Sequence, residues 1–257
     1  MLIDTHCHIH EADYPLYIEQ TLQHAAENGV DHMMCVGTSL DSSIRAIAFA
    51  KKYSQASATI GVHPHDTKDG VEELANIIKT GDIVAIGEIG LDYFYNHSPR
   101  ETQIKALEWQ IELALKHNVP IIFHVREASS AERRESAFTD FWSVLDKFKG
   151  IRGVLHSFTD TQKNLNEGLK RGLYIGVNGI STFTKDEVQK ATFASIPLDR
   201  LLLETDAPFL TPAPFRGQTN EPAFVKNIAE YHAKQRGISV EELSSATTAN
   251  ACALFGL

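Results

Sequence analysis

Ile3-Asp4-Thr5-His6-Cys7-His8 opens the chain as a short extended stretch with two imidazoles at i and i+2. Side chains alternate faces along a strand, so His6 and His8 project to one side and Thr5 and Cys7 to the other. One face then offers two ring nitrogens to a single ion, and imidazole suits zinc and the other transition metals. The chain has 12 histidines, so one such pair carries little by itself. Its meaning depends on whether similar strands recur, and on what stands at their ends.

They recur through the whole chain. Short runs rich in Val, Ile and Leu alternate with segments of helical periodicity, and the expected strands are 2–6, 32–36, 58–62, 83–88, 120–124, 153–156, 173–177 and 200–204. Their starts repeat roughly every 20 to 40 residues, the length of a strand, a crossover helix and two loops. Segment 15–28 predicts a helix with apolar Leu16, Ile18, Leu22, Ala25 and Ala26, stopped at Gly29. Segment 99–117 predicts another, with Ile104, Leu107, Ile111 and Leu115 on one stripe between Pro99 and Asn118-Val119-Pro120. Eight β-α units in a row predict an α/β fold of the (β/α)8 TIM-barrel type, with an open doubly wound sheet as the alternative. A length of 257 residues suits one barrel domain spanning 1–257. Segment 127–139, rich in Ser, Glu and Arg, departs from this economy. It reads as a loop with an added helical turn over the barrel mouth, or as a solvated surface excursion.

The strand ends carry the chemistry. His63-Pro64-His65 follows the third expected strand, and the fourth ends in Gly87-Glu88-Ile89-Gly90-Leu91-Asp92. The fifth ends in His124-Val125-Arg126, the sixth in His156-Ser157-Phe158, and the eighth in Glu204-Thr205-Asp206. In a barrel these ends meet on one ring, so His6, His8, His63, Glu88, His124, His156 and Asp206 are expected to face a common cavity. So many polar groups in one pocket repel or stay unsatisfied without cations. Two divalent ions with a bridging carboxylate resolve this. His63 is expected beside a ligand, as a donor or a substrate contact. Glu204 stands two positions before Asp206, as a support for a ligand or a buried core carboxylate. His10, His24, His32, His65, His97, His117 and His232 have no partner pattern, and Cys7 is expected to pack.

Composition bounds the rest. With 43% hydrophobic and 22% charged residues the chain can bury a large core. It has no apolar run of membrane-spanning length, and Leu2-Ile3 leads straight into Asp4, leaving no room for a signal peptide. A cytoplasmic protein without a membrane partner, and most simply a monomer, is expected. Cys7, Cys35 and Cys252 are odd in number and far apart, which predicts reduced thiols. A net charge of −9 excludes a broad basic face for coating nucleic acid, while leaving a polyanion free to bind at metal ions.

Taken together, these motifs resemble the TatD family of metal-dependent deoxyribonucleases, within the amidohydrolase-like superfamily of barrels. The likeness runs from Asp4 to Phe255 and includes Gly61-Val62-His63-Pro64, Leu203-Glu204-Thr205-Asp206 and Arg216-Gly217-Gln218-Thr219-Asn220-Glu221-Pro222 besides the strand ends above. The resemblance implies one ion on His6, His8, Glu88 and Asp206, and a second on Glu88, His124 and His156, with Glu88 bridging. It also implies hydrolysis of DNA phosphodiesters from a 3′ end. Two departures from the family pattern stand out. Segment 127–139 is longer than expected after Arg126, and Tyr95-Asn96 stands where many relatives carry a basic residue.

On this reading Glu88 and Asp206 are the catalytic pair. The ions activate a shared water and Asp206 accepts its proton. Mixed nitrogen and oxygen donors admit magnesium, manganese, zinc or iron. Arg126 and Arg216 are expected to hold phosphate through paired N–H donors, with His63, Asp92, Ser157 and Glu204 as further substrate-side residues. Arg126, with Arg133 or Arg134, is expected to offset the negative field at the mouth, which suits short single-stranded DNA ends. The competing readings are a small-molecule amide or ester hydrolase and, less simply, a barrel that holds metal without turnover.

Overall fold

The structure, a computed structural model, describes residues 1–95, 97–129 and 136–257. Asn96, Arg133 and Arg134 of the sequence reading lie outside the described residues, as does the middle of segment 127–139. Eight strands form one all-parallel sheet in sequence order, from β1 (Leu2–Cys7), β2 (Val30–Val36), β3 (Ala56–Ile60) and β4 (Ala85–Asp92) to β5 (Ile121–Arg126), β6 (Gly153–Leu155), β7 (Tyr174–Val177) and β8 (Leu201–Leu203). With helices between the strands, this is the (β/α)8 barrel that the periodicity predicts. Among the described residues no helix is long and apolar enough to cross a membrane.

The seam between β8 and β1 is closed mainly by side chains and a few backbone bonds. Asp4 accepts from the Thr205 hydroxyl (2.5 Å) and backbone N–H (2.8 Å), and Thr5 Oγ1 donates to Leu203 O (3.0 Å). Asp206 N donates to His6 O (2.8 Å), and His8 N to Ala207 O (2.7 Å). These bonds fix the first two histidines against the chain that carries Asp206.

Two irregularities aim the polar residues inward. On β1, Asp4 pairs with Met33 but Cys7 with Cys35, so β1 holds one extra residue there. On β4, Ile86 pairs with Ile121 but Ile89 with Phe123, again one extra. An extra residue flips the faces that follow it. Ile3 belongs to the barrel interior, and strict alternation from it would turn Thr5 and Cys7 inward. The shift turns His6 and His8 inward instead. Glu88 is brought inside in the same way from Ala85. Strand β4 runs on to Asp92, past the expected end at Glu88, because Gly90 lets the backbone approach β5: a Cβ on Gly90 would collide with His124 O.

Inside the barrel, Ile3, Met34, Val36, Ala85, Ile122, Val154 and Leu202 pack with Ala251, Leu254 and Phe255 of the last helix, Val240–Phe255. Asn250 Nδ2 donates to Leu198 O (2.8 Å) and Leu201 O (2.9 Å), which seats that helix beneath the strand starts. A larger cluster, including Met33, Cys35, Phe123, Leu107 and Phe141, fills the space between strands and outer helices. Cys7 and Cys35 are buried free thiols there, and Cys252 is partly buried and free.

Several expected boundaries shift. The first helix is Ile18–Glu27, not 15–28, because the chain is still extended at Tyr17 (φ −70°, ψ 122°). Pro99 precedes helix Arg100–His117 as its cap residue, and Asn118 ends it in the left-handed conformation (φ 53°). Within segment 127–139, read as a loop with an added helical turn, helix Ala137–Leu145 begins, capped by Ser136. Glu127 accepts from Ser136 Oγ and from the backbone N–H groups of Ala137 and Phe138, tying the end of β5 to the helix N-terminus.

Candidate metal centre

At the C-terminal end of the strands lies a cavity of about 610 Å³, lined among others by His8, His63, Glu88, His124, His156 and Asp206. Glu88 stands at its centre. Its Oε2 is 3.3 Å from His6 Nε2 and 3.9 Å from His8 Nε2. Its Oε1 is 2.7 Å from His124 Nδ1 and 3.7 Å from His156 Nε2. Asp206 Oδ1 completes the first side, 3.7 Å from His6 Nε2 and 3.4 Å from His8 Nε2, and these two imidazole nitrogens are 3.2 Å apart. Donor groups able to hold a metal ion therefore form around both carboxylate oxygens of Glu88, as His6, His8 and Glu88 on one side and Glu88, His124 and His156 on the other.

The donors fit a cation on two grounds. Ligands at 2.0–2.1 Å from a tetrahedral ion stand roughly 3.4 Å from one another, and the separations above scatter about that value. The rings are also held from behind, as ligating histidines usually are. His8 Nδ1 is 2.9 Å from Val36 O, His124 Nε2 is 3.1 Å from Asp92 Oδ2, and His156 Nδ1 is 2.9 Å from Glu204 Oε1. Each ring thus turns its other nitrogen toward Glu88 or Asp206. His6 Nδ1 is buried without a hydrogen-bond partner among the described residues, and His156 Nδ1 meets Glu204 as an ion pair outside hydrogen-bond geometry.

Electrostatics show how tightly the groups are coupled. Burial pushes the Glu88 carboxyl up, but His156, His124 and His6 outweigh it and hold it well below the usual range. Asp206 is likewise lowered, with burial opposed by His8, His156 and His6. The two rings facing Glu88 Oε1 are raised in turn. His156 rises to about 10 against burial, through Glu204 and Glu88, and His124 to about 9 through Asp92 and Glu88. His63 is held neutral, chiefly by burial and then by His124.

The backbone at two of these ends is unusual. Ser157 (φ 49°) and Asp206 (φ 60°) both occupy the left-handed region, which costs a non-glycine residue on the order of 1–3 kcal/mol and clusters at functional sites. Glu204 sits against Gly176, where a Cβ would collide with its carboxylate.

His6, His8, Glu88, His124, His156 and Asp206 are therefore brought together, as the strand-end pattern predicts. His63 joins them from the cavity wall. Its Nδ1 accepts from His65 N (3.2 Å), and its Nε2 lies 3.6 Å from Glu88 Oε1. Arg126 and Ser157 also line the cavity. Two expected substrate contacts, Asp92 and Arg216, need correction, and Glu204, expected either on the substrate side or as a support for a ligand, takes the supporting place. Asp92 and Glu204 are buried behind His124 and His156 and position those rings. Arg216 is not a lining residue: its guanidinium lies 3.8 Å over the Phe183 ring, and its Nη1 donates to Thr211 O (2.9 Å). His65, for which the sequence showed no partner, lines the cavity with its Nε2 3.1 Å from Asp92 Oδ2. Its spacing of two from His63 is a signal that could have found it.

Comparison with known proteins agrees with this geometry. The sequence model of the family described as TatD related DNase matches residues 3–256. The chain is 37% identical over 261 residues to the "Uncharacterized metal-dependent hydrolase YabD" of Bacillus subtilis (strain 168), covering 99% of each chain. It is 37% identical over 246 residues to the "3'-5' ssDNA/RNA exonuclease TatD" of Cronobacter sakazakii (strain ATCC BAA-894), covering 92% of this chain and 91% of the relative. The crystal structure of a TatD family hydrolase from Entamoeba histolytica superposes with a TM-score of 0.87 at 26% identity, over 99% of this chain and 97% of the other. With its donor-lined mouth on such a barrel, the chain belongs to the TatD-related DNase family and is a metal-dependent hydrolase.

Proposed function

We propose that the protein hydrolyses phosphodiester bonds of short single-stranded DNA from a 3′ end, using two divalent ions, magnesium, manganese or zinc. The observation that carries this reading is the position of Glu88, whose two carboxylate oxygens face separate sets of histidines, His6 and His8 at Oε2 and His124, His156 and His63 at Oε1. His6, His8, Glu88 and Asp206 would hold one ion, and Glu88, His124 and His156 the other. Such a pair of ions, when bound, lowers the pKa of a shared water and offsets charge developing on the phosphoryl oxygens. The name of the Cronobacter relative supports the single-strand, 3′-end assignment.

The chain's own groups supply the remaining steps. Asp206 keeps a carboxylate ionised at the cavity and accepts the proton of the attacking water. His63 accepts at Nδ1, so its proton sits on Nε2, where it can donate to a phosphate oxygen. Ser157 Oγ accepts from Asn178 Nδ2 (2.7 Å), which leaves its own O–H to donate into the cavity. Arg126, lining the same cavity, offers paired N–H groups for a phosphate.

A second reading, hydrolysis of a small amide or lactone, draws support from charge. The chain carries −9 overall, and Arg126 is the one Lys or Arg among the described residues lining the cavity. The test runs a 5′-labelled single-stranded oligonucleotide, its covalently closed circle, a dihydroorotate-like amide and a lactone side by side with Mg2+ or Mn2+. Progressive shortening of the linear strand, an untouched circle and abolition by chelator are expected. Rapid cutting of the circle, or turnover of the amide or lactone without DNA cleavage, overturns the proposal.

A further inference from the structure

Large apolar side chains are seldom left in water in groups unless something binds them. Of eight such exposed residues among those described, three stand at the mouth: Phe94 (43% exposed), Tyr95 (49%) and Phe209 (60%). Phe209 sits on the β8 side. Its backbone N–H donates to Asp206 O (2.8 Å), which pins it in a tight turn after that carboxylate, and its ring lies 6.4 Å from the ring of His8. The other two follow β4, and the guanidinium of Arg126, at the end of β5, lies 4.3 Å over Phe94 and 4.9 Å over Tyr95. Strands β8 and β1 stand opposite β4 and β5 in an eight-stranded barrel, so the two groups flank the donor cluster from opposite sides.

This arrangement limits how a nucleic acid can be held. Among the described residues Arg126 is the one Lys or Arg lining the cavity, so these residues offer little phosphate neutralisation, a contribution that grows with the number of cationic contacts. Aromatic rings and guanidinium planes supply the other general grip on a strand, through stacking on bases of any sequence. We infer that Phe209 on one side and Arg126 on its Phe94–Tyr95 support on the other are stacking surfaces for the two nucleobases that flank the scissile phosphate. The inference rests on the single-strand nuclease reading above and extends it from the phosphate to the bases. Paired bases keep their faces inside a duplex, so the device selects unpaired strands. It reads no sequence.

The test compares the full-length, metal-replete protein with Phe209→Ala and Phe209→Trp on two single-stranded oligonucleotides of equal length. One is intact and the other carries base-free sugars at its last positions. In the wild-type protein the base-free strand should show a KM about a hundredfold higher, since both stacking contacts, each on the scale of about tenfold, are lost there. Phe209→Ala should raise KM about tenfold on the intact strand and add little on the base-free strand, since the contact it removes is already missing there. Phe209→Trp should retain the wild-type value. Equal KM for both strands in the wild-type protein, or an equal rise on both strands in Phe209→Ala, overturns the inference while leaving the nuclease reading intact. Cleavage of neither strand, with turnover of a lactone or amide, defeats the nuclease reading and the inference with it. A Phe209-dependent dimer in sedimentation, without any KM change, overturns it in favour of self-association.

Discussion

At the base of the barrel, Ala251, Leu254 and Phe255 press against Ile3, Ala85, Ile122, Val154 and Leu202. At the mouth, His6, His8, His63, His124 and His156 surround Glu88, with Asp206 beside the first two. The same strands supply both ends. Ile122 and His124 are neighbours on one face of β5, as are Val154 and His156 at the end of β6. The difference teaches that the sheet is a neutral carrier: its interior face is apolar where no ligand is needed and polar where its strands converge on the cavity. Stability and chemistry should therefore separate by depth along each strand.

The largest effect should come at the mouth. Asp206→Asn retains an oxygen that can face a cation but loses basicity, and should lower turnover by about two to four orders of magnitude. Its melting temperature and metal content should change much less. Near-normal turnover would remove Asp206 from proton transfer and break the separation at its most exposed point.

The base should show the reverse. Leu254 is 3% exposed within the interior cluster, and Leu254→Ala should cost about 2–5 kcal/mol in denaturant unfolding through lost burial and a residual cavity. Metal content, and turnover measured well below the unfolding transition, should stay near wild type. A variant of normal stability that loses metal would show that the base governs the mouth.

How far the sequence discloses this division depends on which interactions are local. Strand existence is readable because a buried parallel strand needs a continuous apolar run, and the change from such a run to His or a carboxylate marks each mouth position. The inward aim of His6, His8 and Glu88 is not readable in the same way. It depends on extra residues in β1 and β4 that are defined only against the partner strands. The sequence also does not distinguish a side chain in the cavity from one behind it. Asp92 and Glu204 share the composition of substrate contacts, yet each holds the far nitrogen of a histidine. Arg216 lies after the eighth strand with its charge over Phe183, a contact between distant segments that no local pattern reveals. Phe209 reads as an ordinary apolar residue until its exposure is known.

A smaller effect separates a histidine kept neutral by packing from those at the mouth. His232 is buried, with Nε2 2.9 Å from Ser181 Oγ, and burial, followed by repulsion from Arg236, lowers it to about 3. Between pH 3 and its ordinary 6.5 the unfolded chain binds a proton that the folded chain refuses. Its contribution is therefore complete above pH 6.5 and is lost as pH falls through that window, by about 2 kcal/mol at pH 5. His232→Gln should flatten the fall in unfolding free energy between pH 7 and pH 5. An unchanged slope would show that His232 gains its proton without unfolding.

The most direct measurement for the proposed centre is metal content per chain by elemental analysis, at saturating divalent metal, in the wild-type protein, His6→Ala and Glu88→Ala. If Glu88 serves both donor groups, the wild-type protein should hold about two ions per chain. His6→Ala should lose chiefly one, and Glu88→Ala should be the most depleted of the three. A wild-type protein without bound metal, or equal loss of a single ion in the two variants, would contradict the shared-carboxylate account.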